Sequence, residues 1–105
     1  MNPVCIVIQT SVSSMREARN LAEAALSSRL AACVQILGPG LSMYRWRSSL
    51  EETEEYYLSF KTSARKQEAL MNWLIGQHPY DTPEIICREC GASSDYADWL
   101  RLETT

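Results

Sequence analysis

The segment "LSMYRWRSSLEETEEYYLSFKTS" (residues 41–63) restricts the fold of this chain more than any other stretch. In "LSMYRWRS" (41–48), a period of two puts Tyr44 and Trp46 on one face and Arg45 and Arg47 on the other. In "TEEYYLSFKTS" (53–63), Tyr56, Leu58 and Phe60 share one face, and Glu55, Tyr57, Ser59 and Lys61 the opposite one. "SLEE" (49–52) between them reads as a turn. Two alternating runs joined by a short polar stretch make an antiparallel hairpin. The rest of the chain must supply its neighbouring strands and a cover for its apolar face.

It does so in a definite order. "PVCIVIQT" (3–10) is apolar on both faces, as a strand in the middle of a sheet is. "SMRE" (14–17) is a capping box, and Met15, Ala18, Leu21, Ala22, Ala25, Leu26 and Leu30 follow at helical spacing. "AACVQIL" (31–37) is a second strand, which "GPG" (38–40) bends or interrupts before the hairpin resumes. Ser63 reads as the N-cap of a second helix with Ala64, Leu70, Trp73 and Leu74 on its apolar stripe, and Gly76 is placed to end it. "TPEIICREC" (82–90) is the fourth main strand, entered through a proline. Ser94 caps a short last helix carrying Tyr96, Trp99 and Leu100. The order β-α-β-β-α-β plus a C-terminal helix is an α+β, ferredoxin-like arrangement: an antiparallel sheet with helices on one face. With 105 residues the chain is a single domain, 1–105.

Composition narrows the function. Hydrophobic residues are 46% and charged residues 22%, the balance of an ordinary globular domain. Ten basic residues against thirteen acidic ones give a net charge of −3, which argues against a nucleic-acid partner. No apolar run reaches the roughly 20 residues of a membrane span. "MNPVCIVIQTS" reads as a strand and not as a signal peptide, so the expected compartment is the cytoplasm. There, Cys5, Cys33, Cys87 and Cys90 are expected as reduced thiols.

Few residues carry chemistry. "CREC" (87–90) looks like a metal or redox pair, but residues i and i+3 of a strand point to opposite faces, about 10 Å apart. Two thiolates cannot then share a zinc ion at about 2.3 Å. Cys33 is either a buried small hydrophobe or a soft-metal or reactive thiol. His78, the only histidine, precedes Pro79 in "GQHPYDTPEI" and is pushed out of the helical region. Its ring either meets the carbonyls at a helix C-terminus or presents a nitrogen to a cleft, where it can bind a metal or ligand. A Cys33–His78 nucleophile pair lacks a visible oxyanion hole. No phosphate-binding glycine loop, H-E-x-x-H or G-x-S-x-G occurs, and "QTSVSSM" has no arginine of the acylphosphatase kind. Glu51/Glu52 and Glu54/Glu55 read as a solvated face or edge guard.

"LAEAALSSRLAACVQI", "MYRWRSSLEETEEYYLSFKTS", "HPYDTPEI" and "DYADWL", in this order and spacing, resemble the CutA family of divalent-cation tolerance proteins over roughly residues 4–102. The resemblance implies a homotrimer like that of the PII signalling proteins, in which strands of neighbouring subunits pair. It implies a non-enzymatic protein linked to the response to metal ions. It carries no required cofactor, and copper or another divalent cation is the candidate ligand. Carried over residue by residue, its cleft positions are Cys33, Tyr44, Trp46, Lys61, His78, Tyr80, Glu84, Tyr96 and Trp99, with His78 and Cys33 as candidate metal ligands. In a trimer Lys61 and His78 would meet residues of another subunit. An alternative within the same resemblance is a PII-like signalling or partner-binding module without intrinsic metal binding. One departure stands out. Some members with proposed copper sites carry a cysteine at the end of strand one and two histidines before the proline, where this chain has "IQTS" and "QHP". Gln77 is a poor copper ligand beside histidine.

Overall fold

A computed structural model describes residues 4–105, so Pro3 of the expected first strand and residues 1–3 of the domain lie outside the described residues. The order is β1 (Val4–Val12), α1 (Met15–Ser27), β2 (Cys33–Trp46), β3 (Ser49–Thr62), a 3₁₀ turn (Ala64–Lys66), α2 (Gln67–Gln77), β4 (Ile86–Gly91) and α3 (Ser94–Glu103). The four strands form one antiparallel sheet in the order β2-β3-β1-β4. The expected α+β sandwich is present. No helix among the described residues is long and apolar enough to cross a membrane.

Alternation along β1 sorts the core. Ile6, Ile8 and Val12 are fully buried with Leu58 and Phe60 of β3 under Ala18, Leu21, Ala22 and Ala25 of α1 and Leu70 and Leu74 of α2. Cys5 and Val7 point to the other face, where Leu100 of α3 buries them with Tyr96 and Cys90 packed alongside. Helices α1 and α2 therefore cover one face, and α3 covers one end of the opposite face.

Helix α1 starts as its sequence demands. The Ser14 hydroxyl accepts the Glu17 amide at 3.1 Å, but the Glu17 carboxylate accepts the Ser13 and Ser14 hydroxyls at 2.7 and 3.3 Å in place of the cap amide. Met15 and Leu26 are 41% and 40% exposed, so the buried stripe is narrower than the spacing suggests. The helix ends in a Schellman motif. Arg29, at φ 60°, donates to the Leu26 carbonyl, and Leu30 donates to that of Ala25. Leu30 thus lies beyond the helix. No glycine announces this stop.

The hairpin is longer than expected. β2 runs through "GPG" as one 14-residue strand with a register shift between Leu37 and Gly40. Gly38 sits at φ +154°, and a Cβ there would come within 2.8 Å of the Tyr56 ring. The turn is Arg47-Ser48, at φ 48° and 70°, and not 49–52. Positive φ at both central residues of a two-residue loop is the type I′ geometry that matches strand twist. Arg47 therefore leaves the strand and lies over the Trp46 ring at 5.5 Å.

The second half departs in detail. Ser63 caps nothing with its side chain; its hydroxyl bonds that of Thr104 at 2.8 Å, and Ala64 is exposed. Gly76 lies within α2, and the helix stops at Gln77 because His78, before Pro79, is extended at φ −68° and ψ 136°. β4 begins at Ile86, leaving 82–85 irregular. Cys87 lies opposite Ile8 and Cys90 opposite Cys5, so the two thiols do occupy opposite faces. Ser93, not Ser94, caps α3, accepting the Tyr96 amide at 3.3 Å.

Candidate functional site

The far ends of β2 and β3 project from the body, giving the subunit extents of 45 × 26 × 22 Å. From the base of this arm, where β1 ends and the "HPYDTPE" loop crosses, a cavity of about 710 Å³ runs along the arm to Trp46 beside the tip. The arm contributes Ser42, Met43, Tyr44, Trp46, Thr53 and Glu55, and the loop contributes Tyr80, Asp81, Thr82 and Glu84. Ser11 and Ser13 complete it from the end of β1.

His78 holds the loop to the sheet. Its Nδ1 accepts the Tyr80 backbone N–H at 3.1 Å, so the proton resides on Nε2, which donates to the Ser11 carbonyl at 2.9 Å. The side chain is buried, and burial lowers its pKa below the usual histidine value, so the ring is neutral at pH 7. Tyr80 stacks edge-on against it at 4.9 Å. The Tyr80 hydroxyl donates to Glu55 Oε2 at 2.7 Å, and Ser11 Oγ donates to the same oxygen at 3.2 Å. Burial, then the Glu55 carboxylate, raise the Tyr80 phenol above its ordinary pKa.

Glu55 is the residue that the sequence reading passed over. It is 6% exposed and not part of a solvated face. Its neighbours Glu51, Glu52 and Glu54 are exposed, so composition hides it. Only the strand register separates it from them: Ser11 of β1 pairs with Tyr57, two residues along the same face.

The nine cleft positions do not form one site within a subunit. Tyr44, Trp46, Tyr80 and Glu84 line the cavity, and His78 supports it from behind. Tyr44 further bonds Thr53 across the hairpin at 2.9 Å. Cys33 and Lys61 pair with each other across β2 and β3, level with Val7. Tyr96 of α3 lies near Cys33 and Cys5, and its ring is 5.6 Å from that of Trp99, which is 41% exposed. Val7 is four residues from Ser11, so the two groups are about 13 Å apart along the sheet.

The same separation bears on metal binding. Cys33 and His78 are not neighbours, and both ring nitrogens of His78 are already engaged. Among the described residues no three His, Cys, Asp or Glu side chains converge as a metal site would require. The expectation of a His78–Cys33 centre does not fit the residues of a single subunit. All four cysteines are free thiols.

A ferredoxin-like sheet with a long hairpin arm and a polar cavity at the arm's base defines a class of small α+β proteins. The family model of the CutA1 divalent ion tolerance protein matches residues 6–103, and the chain belongs to this family. The divalent-cation tolerance protein CutA of Pectobacterium atrosepticum is 40% identical over 101 residues, covering 93% of this chain and 92% of that protein. The CutA structure from Synechococcus elongatus superposes with a TM-score of 0.92 at 40% identity, covering 100% of this chain and 95% of that one. A structure described as the periplasmic divalent cation tolerance protein CutA of Archaeoglobus fulgidus gives a TM-score of 0.90 at 26% identity, over 96% and 99% of the two chains.

Proposed function

We propose that this protein works as a non-enzymatic homotrimer in the response to divalent metal ions, with the arm as its assembly element and the cavity at its base as a ligand cleft. Family membership supports the link to metal tolerance. The observation that carries the assembly is the arm's uncovered apolar surface. Leu41, Met43 and Leu50 are 62%, 57% and 69% exposed, and Leu37, on the edge strand beside the arm's base, is 72% exposed. Burying each would contribute about 1.5–3 kcal/mol. β2 is also a 14-residue edge strand, a hazard that pairing around a closed threefold removes.

The engaged nitrogens of His78 favour a PII-like mode, in which the trimer acts through a bound ligand or a protein partner and does not sequester ions in each subunit. No resident cofactor, nucleic acid or membrane enters this reading. Four free thiols suit a reducing compartment, and the cytoplasm is the proposed location.

The test is complementation. A bacterium lacking its own CutA should regain growth in elevated copper with this chain, and not with a Leu37→Glu/Leu41→Glu variant. Equal restoration by both would separate tolerance from assembly and overturn the reading.

A further inference from the structure

Two cysteines meet on the α3 side of the sheet. Cys5 of β1 and Cys90 of β4 are register partners in an antiparallel pair, and both belong to the cluster that Leu100 covers. Directly opposed residues of such a pair project to the same face, with Cα atoms about 4.5 or 5.5 Å apart. Both spacings fall inside the window of about 4.4–6.8 Å that a disulfide spans. A bond between the two sulfurs therefore needs no shift of the backbone.

Among the described residues no other pair of cysteines has this geometry. Cys87 lies opposite Ile8, on the other face of the sheet. Cys33 is level with Lys61 and through it with Val7, so β3 separates it from β1. Two strand spacings exceed about 9 Å, beyond the roughly 7 Å at which bridging fails. The two partners also differ in access. Cys5 is 5% exposed, and burial, then the Cys90 sulfur, raise its pKa. Cys90 is half-buried on a strand at the edge of the sheet, so an oxidant reaches it before Cys5.

We infer that Cys90 and Cys5 form a reversible oxidation site: hydrogen peroxide oxidises Cys90, and Cys5 resolves the product as a cross-strand disulfide. The peroxide transfers one oxygen to the Cys90 sulfur, giving a sulfenic acid and water. The Cys5 sulfur then attacks that sulfur. The S–S bond forms, the S–O bond breaks, and the hydroxyl leaves with the Cys5 proton as a second water. The pair has lost two electrons to the peroxide, and a dithiol reductant returns them by exchange. Resolution keeps Cys90 from the irreversible sulfinic acid. Disulfides of reducing compartments are usually transient and redox-sensing, which agrees with free thiols in the resting protein. This site is independent of the cleft at the arm.

The test treats the reduced full chain, in its native assembly, with hydrogen peroxide. The protein is then alkylated under denaturing conditions, digested with trypsin and read by mass spectrometry. Each cysteine falls in its own tryptic peptide, residues 1–16, 30–45, 67–88 and 89–101. Peptides 1–16 and 89–101 should be joined, both of their thiols should escape alkylation, and dithiothreitol should restore them. Cys87→Ser should change nothing. Cys5→Ala should abolish the joined species and carry Cys90 on to a sulfinic acid that dithiothreitol does not reverse. The unaltered and Cys87→Ser chains decide the linkage even if Cys5→Ala folds poorly. A link through Cys33, or one between subunits, overturns the choice of partners. Full alkylation of every thiol after peroxide overturns the site. Sulfinic acid at Cys90 to the same extent with and without Cys5 overturns the resolving role.

Discussion

The body and the arm obey different rules. In the body, every second residue of β1 and the inner half of β3 is buried against helices, and Ile6, Ile8, Leu58 and Phe60 are fully enclosed. In the arm, alternation persists but the apolar residues have no cover: Leu41 and Leu50 are each more than 60% exposed. One hairpin thus belongs at its inner end to a core and at its outer end to a surface. A chain does not keep such residues on a projecting ribbon for the stability of the subunit. The difference is what supports reading the arm as a contact surface in the proposed assembly.

Substitutions at the two ends should separate these roles. Phe60→Ala removes the largest enclosed side chain, and denaturant titration should show a loss of about 3–5 kcal/mol. Leu41→Glu should leave the folded subunit spectroscopically intact while abolishing assembly. A Leu41→Glu protein of unchanged mass would break the comparison.

The junction between body and arm is held by His78. His78→Ala leaves the Ser11 carbonyl and the Tyr80 N–H without partners, at a cost of about 1–3 kcal/mol. The same residue makes a pH prediction. Its folded pKa is lowered, so below about pH 6.5 the unfolded chain binds the proton more readily than the folded one. Stability contributed by the neutral ring is therefore complete above that pH and is lost as pH falls toward the folded value. Melting curves from pH 7.5 to 5 should show the decline, and His78→Ala should flatten it. An unchanged slope in the variant would assign the effect elsewhere.

Two smaller changes sharpen the contrast. The Thr62 hydroxyl is buried among helix-side residues without a hydrogen-bond partner among the described residues. Thr62→Val should stabilise the body by about 1 kcal/mol in calorimetry. At the arm's tip, Arg47→Asn with Ser48→Gly supplies the residues that a type I′ turn prefers and should add about 0.5 kcal/mol. A loss at the tip would mean that Arg47 works through its stacking on Trp46.

Much of the body was legible because periodicity reports burial directly. The hairpin, the two covering helices and the opposed thiols of "CREC" follow from periods of 2 and 3.6. What escaped lay where a backbone conformation carries no distinctive residue. Arg29, Arg47 and Ser48 occupy positive φ with none of the glycines that usually mark it. Gly76 drew the end of α2 too early, while the pre-proline position of His78 ended it. The candidate site was half legible. Tyr44, Trp46, Tyr80 and Glu84 do line the cavity, but Cys33, Lys61, Tyr96 and Trp99 lie at the other end of the open face. Glu55 could not be told from its exposed neighbours without the strand register that brings it to Ser11 and Tyr80.

The central claim is that the arm exists for other copies of this chain. Multi-angle light scattering across low micromolar concentrations tests it most directly. The account predicts about three times the 11.9 kDa chain mass throughout. A stable monomer at those concentrations would contradict it.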